Sequence, residues 1–178
     1  MNKYTEIKDA LQGGLKTNNY RIILNVPTED KSQINGSSNT ILNILCQSTS
    51  FPVRKISTNS VFFRGRKVVL RSLEEFDETW SCTFVDDYNS NIRRLFENWL
   101  TGTDSQERLT IWTNYQTDMK VIQLSPEGFP VFGYLLSNAF VSNISGVDFS
   151  DEKADAVKLT ITFSYSKCSI IPQSELTD

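Results

Sequence analysis

The sequence contains no histidine among its 178 residues. Ser-His-Asp and Cys-His nucleophilic sites both need an imidazole that titrates near neutral pH, so both kinds of site are excluded. Most transition-metal sites also use histidine, which leaves only carboxylate chemistry and oxygen-ligand metal sites open. We therefore expect a protein that is not an enzyme and that carries no cofactor or metal.

Cysteine is scarce as well, and the three thiols, Cys46, Cys82 and Cys168, lie far apart in the sequence. No C-x-x-C pair occurs, which excludes zinc ribbons and thioredoxin-like redox motifs. Free cysteine is among the most buried residue types in proteins. We interpret all three as reduced, buried side chains.

Long apolar runs are absent too, since no stretch approaches the roughly 18 residues that a membrane-spanning helix needs. Near the N-terminus, Glu6 and Asp9 interrupt the sequence where a secretory signal would have its apolar region. We therefore expect folding in a cytoplasm. The formal net charge of −3 argues against a surface built mainly to bind nucleic-acid phosphates.

The chain has the composition of one globular domain, with 39% hydrophobic and 22% charged residues. We divide it into an N-terminal arm (1–19), a β domain (20–169) and a loose C-terminal tail (170–178). A polar loop is predicted over 28–40, and Ser125–Gly128 has the composition of a turn.

Most of the remaining sequence has β character, with β-branched and aromatic runs between turn residues. Two strands joined at Arg64-Gly65-Arg66 are predicted between Phe51 and Leu73. The other predicted strands are Tyr20–Val26, Ile41–Thr49, Thr79–Phe84, Leu109–Tyr115, Met119–Leu124, Phe129–Ile144 and Ala156–Cys168.

One helix is predicted after the strand that contains Trp80. Asp87 or Asn89 can cap it, and Gly102 is well placed to end it. Its apolar stripe is formed by Ile92, Leu95, Phe96, Trp99 and Leu100. The fold class is therefore mainly β, a mostly antiparallel domain with one packed helix. The predicted core comprises Trp80, Cys82, Phe84, Leu95, Phe96, Trp99, Leu159, Ile161 and Phe163.

Four segments resemble, in the same order, the tail tube proteins of contractile-tailed phages. Leu11–Tyr20 has a Gly-Gly arm and an aromatic residue that opens the first strand; Cys46–Pro52 is a small polar run with an apolar-Pro end. Phe63–Lys67 is an aromatic-Arg-Gly-Arg-Lys turn, and Trp80–Trp99 is a strand, acidic turn and helix. The resemblance spans roughly residues 11–166 and departs at 15–17, where family members often have Ala-Arg-Pro.

The resemblance implies a structural virion protein with the phage tail tube fold, an antiparallel β-sandwich or barrel with one flanking helix. Six copies would form a ring, rings would stack into the inner tube of a contractile tail, and DNA would pass through the lumen. The implied partners are other copies of the chain, the tail sheath protein, the baseplate initiator and the tail terminator. The tape measure protein and genomic DNA would occupy the lumen without sequence-specific binding. The implied location is the virion, after assembly in the host cytoplasm.

The stacking of rings requires two unlike faces, and charge suggests which ones. Residues 54–71 include six basic residues and no acid, whereas 74–78 and 148–155 are acidic. We predict inter-ring contacts by Arg64, Gly65, Arg66 and Lys67 with Asp148, Asp151 and Glu152. The alternative is that the hairpin carries charge for solubility.

Other functions stay open at this point. A baseplate tube initiator, or the tube subunit of a contractile injection system, would share the fold. A nucleic-acid-binding module could use the basic hairpin with Phe62 and Phe63, although these two point to opposite faces, which would place one of them in the core. Acid pairs such as Asp86-Asp87 and Glu74-Asp77 could serve an enzyme, but acids before a helix more often cap it.

Overall fold

The computed structural model describes residues 11, 14–27, 38–101, 115–147, 149 and 155–176, without the side chains of 38, 39 and 74–76. Within this part, neither α-helix is long and apolar enough to cross a bilayer. The strands are β1 (Tyr20–Leu24), β2 (Cys46–Thr49), β3 (Arg54–Phe63), β4 (Arg66–Phe76), β5 (Thr79–Val85), β6 (Thr117–Leu124), β7 (Pro130–Ile144), β8 (Lys158–Ser164) and β9 (Lys167–Ile170). The helices are α1 (Ser38–Leu45), α2 (Asn91–Thr101) and a 3-10 turn (Gln173–Glu175).

The strands form two antiparallel sheets that share the long strand β7. Its first half pairs with β6 and β9, and β6 in turn pairs with β1. Its second half pairs with β8, followed by β5 and β2. A separate ribbon is formed by β3 and β4. The predicted mainly β, antiparallel fold class is confirmed.

The core lies between the sheets and α2. Buried side chains alternate with more exposed ones along β5 and β8, and all nine predicted core residues are at most 8% exposed. The rings of Phe84 and Phe96 lie 5.2 Å apart, and those of Trp99 and Phe163 lie 5.7 Å apart. The apolar stripe of α2 is thus packed against the sheet, as its periodicity predicts, but Leu100 at the end of the stripe is exposed.

Helix α2 begins with a cap from Asp87. Its Oδ1 accepts the backbone N–H of Asn91 at 2.6 Å, and its Oδ2 accepts the Asn91 side-chain amide at 2.7 Å. The Oδ1 atom of Asp86 accepts the backbone N–H of Asp87 at 3.1 Å. These carboxylates satisfy backbone donors at the helix start, which is the structural role that the sequence favours over catalysis.

The prediction of a strand over Ile41–Thr49 is wrong for its first half. Residues up to Leu45 form α1, and only Cys46–Thr49 is a strand. Leu42 is fully buried, and Ile41 and Leu45 pack partly against the core. Residues 41, 42 and 45 are spaced for one face of a helix, but a short apolar run is ambiguous between helix and strand. The described chain therefore has a second α-helix, and residues 38–40 of the predicted loop belong to it.

The expectation of a loose tail after residue 170 is also wrong as far as residue 176. Lys167–Ile170 pairs with β7, and the backbone N–H of Ile171 donates to the carbonyl of Gly133 at 2.9 Å. Ile171 and Leu176 are buried with Ile122 on the outer face of the sheet. The segment is ordered because it covers apolar side chains that water would otherwise contact.

Smaller differences concern single residues. The predicted strand over Ala156–Cys168 is broken at 165–166 into β8 and β9, and Val157 is exposed. Cys46 and Cys82 are buried, but Cys168 is only partly buried. Most of the predicted strand 109–115, of the polar loop and of the N-terminal arm lies outside the described residues.

Candidate self-assembly surface

The most exposed element is the hairpin of β3 and β4, which continues the ladder of β2 and β5 beyond the sandwich. The ladder of β2 and β5 ends with Thr49 opposite Cys82, and the hairpin begins with Arg54 opposite Phe76. The backbone N–H of Asp77 donates to the carbonyl of Val53 at 3.4 Å across the gap. With ten residues in β3, the hairpin extends about 33 Å from its base.

Aromatic side chains fix the base of the hairpin to the sandwich. The Trp80 indole N–H donates to the carbonyl of Ser50 at 2.7 Å. The Phe51 ring makes edge contacts with Phe132 and Tyr134 at centroid distances of 5.7 and 5.3 Å. Such edge-to-face pairs add to the energy of burial. The hairpin is therefore held firmly where it leaves the body, and residues 58–71 beyond its base are exposed.

The hairpin turns through Arg64 and Gly65, with φ of 48° and 80°. Two central residues with positive φ define the type I′ turn, which suits the twist of a two-residue hairpin loop. Arg66 was predicted within the turn, but it lies in β4 opposite Phe63. The Arg64 guanidinium carbon lies 5.3 Å from the centre of the Phe63 ring. Three cations are thus placed around the tip: Arg64, Arg66 and Lys67.

Apolar side chains are exposed on both faces of the hairpin. Phe62 and Phe63 are 73% and 64% exposed, so the expectation that one of them belongs to the core is wrong. Val61, Val68, Val69 and Leu70 are also exposed. A two-stranded hairpin with no packed face is marginally stable in water. This exposed apolar surface indicates a protein contact that is absent from the single chain.

The hairpin also differs in charge from the rest of the molecule. The hairpin, residues 54–76, contains six basic and two acidic residues, whereas the remainder contains 12 basic and 19 acidic residues. The formal charge is therefore +4 on the hairpin and −7 on the remainder. The net charge of the hairpin is thus opposite in sign to the net charge of the rest of the chain.

The structure places the predicted basic contacts but not the acidic ones. Arg64, Gly65, Arg66 and Lys67 are all exposed at the hairpin tip. Asp148, Asp151 and Glu152 lie outside the described residues. Their predicted contact with the hairpin of another copy stays a prediction.

The free edge of β1 is protected by α1. The Asn43 side-chain oxygen accepts the backbone N–H of Ile22 at 2.6 Å. The Tyr20 hydroxyl donates to the carbonyl of Cys46 at 2.8 Å, which ties the start of β1 to β2. An unprotected strand edge would pair with any strand that it meets. In contrast, the outer edges of β3 and β4 pair with no other strand in the described part of the chain.

The buried thiols of Cys46 and Cys82 lie beside one another and beside the Tyr20 hydroxyl. Hydrogen bonding from Cys82 and Tyr20 lowers the pKa of Cys46, whereas burial raises the pKa of Cys82. Burial and the neighbouring Cys46 raise the pKa of Tyr20. Within the described residues, no three Cys, Asp or Glu side chains come together as metal ligands. These groups fasten β1, β2 and β5 together.

The sequence revealed the basic tip but not the exposed apolar faces. A signal was present, since Val61-Phe62-Phe63 and Val68-Val69-Leu70 lack the polar alternation of a strand with one solvent face. Such runs are typical of strands covered on both faces, and the part of the chain that the structure describes covers neither.

Comparisons with known proteins agree with this architecture. The family model described as phage tail tube protein matches residues 15–170. No curated protein matches the chain.

Several solved structures share the fold. The tube terminating cap of the anti-feeding prophage has a TM-score of 0.64 at 12% identity, covering 88% of this chain and 90% of that one. The sheath-tube complex of an extracellular contractile injection system, PVC, has a TM-score of 0.60 at 11% identity. The match covers 96% of this chain and 99% of that one. The anti-feeding prophage baseplate gives 0.59 at 14% identity, covering 85% and 90%. At these identities the likeness shows the fold alone, but the family match spans most of the sequence, and the chain belongs to the phage tail tube protein family.

Proposed function

We propose that this chain is the repeating structural subunit of a contractile phage tail tube. Six copies form a ring, rings stack into a hollow tube inside the sheath, and DNA leaves through the lumen during infection. The observation that carries the proposal is the projecting hairpin, which has exposed apolar side chains on both faces and a charge opposite to that of the body.

Self-association follows from these two properties. A surface that contacts a different surface on an identical copy generates rings when the rotation closes and filaments when it does not. A cationic hairpin against an anionic body is such a contact, because each copy has one of each. The contact would be repeated without limit along a tube.

The proposed partners are the sheath around the tube, the baseplate initiator and terminator at its ends, and the tape measure protein and DNA inside. The chain is proposed to act in the virion after assembly in the host cytoplasm. It has no proposed catalytic activity and no cofactor.

A second candidate has specific support, since the chain shares its fold with the anti-feeding prophage baseplate and with an injection-system tube complex. The chain would then start a tube as a single ring, or conduct a cargo other than DNA. A tube subunit polymerises alone at high concentration, whereas an initiator stops at one ring.

Electron microscopy of the purified protein tests the proposal. We expect rings and tubes whose length increases with protein concentration. Single rings without stacking would support the initiator, and a monomer at every concentration would contradict both candidates.

The charged tip is tested by reversing Arg64 and Arg66 to Glu. We expect the double variant to stop forming tubes at concentrations where the unmodified chain forms them, because like charges would then face the anionic body. A matched control, Arg94→Glu with Lys158→Glu, changes the net charge equally at exposed positions outside the hairpin. Normal tubes from the hairpin variant, or equal loss in the control, would refute the role of the tip.

A further inference from the structure

The register of the hairpin assigns its side chains to two different faces. Val61 lies opposite Val68, and Phe63 opposite Arg66. Because side chains alternate along a strand and directly paired residues share a face, these four residues are on one side. Phe62 lies opposite Lys67, and Ser60 lies opposite Val69. These four residues are on the other side.

The two faces differ in composition. The first, here called the apolar face, carries Val61, Phe63, Val68 and Leu70, with Asn59 and Arg66 at its two ends. The second, here called the cationic face, carries Thr58, Ser60, Phe62, Lys67, Val69 and Arg71. The four large apolar residues of the apolar face are between 46% and 64% exposed.

Resting on the proposed function, we infer that the apolar face is covered by the body of a second copy of this chain, while the cationic face stays in contact with water. Four adjacent apolar side chains form a continuous strip that association can remove from water. The cationic face has only two apolar side chains, Phe62 and Val69, among two hydroxyls and two cations, which favours a hydrated surface.

Charge identifies the occupant. If two hairpins met through their apolar faces, the formal charge of +4 on one would face the +4 on the other, and like charges would repel. The remainder of a second copy carries −7 and attracts the hairpin instead. The contact is therefore between hairpin and body, an interface of two unlike surfaces that repeats from copy to copy.

The hairpin contains two matched pairs of residues that separate the faces. Val68 and Val69 are neighbours of the same type on opposite faces, with 46% and 58% exposure. Phe63 and Phe62 form a second such pair, with 64% and 73% exposure. The same substitution changes net charge and strand propensity equally at both positions of a pair. A difference in association between the two variants therefore shows which face is covered.

The experiment compares Val68→Glu with Val69→Glu, and Phe63→Ser with Phe62→Ser. Sedimentation velocity measures the concentration at which each full-length variant associates, and the thermal midpoint of the dilute protein controls for folding. We expect Val68→Glu and Phe63→Ser to raise that concentration about tenfold or more, which corresponds to about 1.4 kcal/mol. Val69→Glu and Phe62→Ser are expected to change it less than about twofold.

The outcomes separate this inference from the proposed function. Equal or reversed effects within both pairs, with tubes still formed by the unmodified chain, would overturn the inference alone. Association into species other than rings and tubes would contradict the proposed function, while the paired comparison would still identify the buried face. A different result would instead assign the cationic face to nucleic acid. In that case the chain would bind single-stranded DNA in a salt-sensitive way, and Phe62→Ser would lose this binding while Phe63→Ser kept it.

Discussion

At the scale of single residues, Asn138 allows β7 to belong to both sheets. Its φ is 54°, and the pairing of β7 with β6 shifts register next to it. Its backbone N–H, turned away from the ladder, donates to the carboxylate of Asp118 at 3.1 Å. Asparagine tolerates this left-handed conformation better than other residues with a side chain, apart from aspartate. One residue thus directs the longest strand from one sheet into the other.

Substitution of Asn138 by Val is expected to destabilise the fold by about 1–2 kcal/mol, because a β-branched side chain is strained at positive φ. Asn138→Gly should be neutral or slightly stabilising, since glycine adopts this conformation freely. The Asn138 side chain is exposed, so neither change alters packing. Urea unfolding of the dilute protein measures both effects. Equal stability of the two variants would show that the backbone here is not strained.

At the scale of elements, α1 protects one strand edge, whereas the hairpin exposes its own strand edges. The side chain of Asn43 in α1 occupies the free N–H of Ile22, and thus protects the edge of β1. No other strand of the described chain pairs with the outer edges of β3 and β4. In the proposed tube, a subunit that joins its copies in one register would benefit from having few competing edges. The protection of β1 would then leave the edges of the hairpin as the places where strands of another copy can pair.

Asn43→Ala removes the acceptor for the buried N–H of Ile22. We expect a loss of about 1 kcal/mol in unfolding free energy, the typical net value of one hydrogen bond, and faster exchange of the Ile22 amide hydrogen. Asn43→Asp keeps an oxygen acceptor and is the control. Unchanged exchange at Ile22 in Asn43→Ala would mean that α1 does not protect this edge.

At the scale of the whole molecule, formal charge is divided unevenly along the chain. The hairpin, residues 54–76, carries +4 and the remainder −7, although the chain as a whole carries only −3. Complementary surfaces speed encounter and select orientation, whereas apolar burial supplies more of the affinity. In the proposed tube, the same division would let a mildly acidic chain associate without general self-repulsion.

This distribution predicts that assembly depends on salt. Raising the NaCl concentration from 50 to 500 mM should slow tube growth by about tenfold, because the added ions screen attraction between exposed charges. Light scattering after a concentration jump measures the rate. Growth that is equally fast at both salt concentrations would show that apolar contacts alone drive association. The Arg64→Glu, Arg66→Glu variant should show a weaker or reversed dependence.

The local pattern of the sequence was sufficient for most of the fold. Three features follow from residues that are close together in the sequence. These are the alternation in β5 and β8, the helical spacing of Ile92, Leu95 and Trp99, and the turn at Arg64-Gly65. The same local information failed for α1, because its three apolar residues fit both a helix and a strand. Only the structure, which buries Leu42 in the core, decides for the helix. It failed again for Ile171 and Leu176, since only the folded sheet offers the apolar surface that orders them.

The sequence by itself determined the β class, the single capped helix after β5, the basic tip of the hairpin and the family resemblance, because each depends on residue types at short spacing. Only the tertiary structure decided that both faces of the hairpin are exposed, that β7 joins two sheets and that α1 protects the edge of β1. These features depend on which surfaces meet across long distances in the chain. Burial and exposure are properties of the folded body, so no local pattern could determine them.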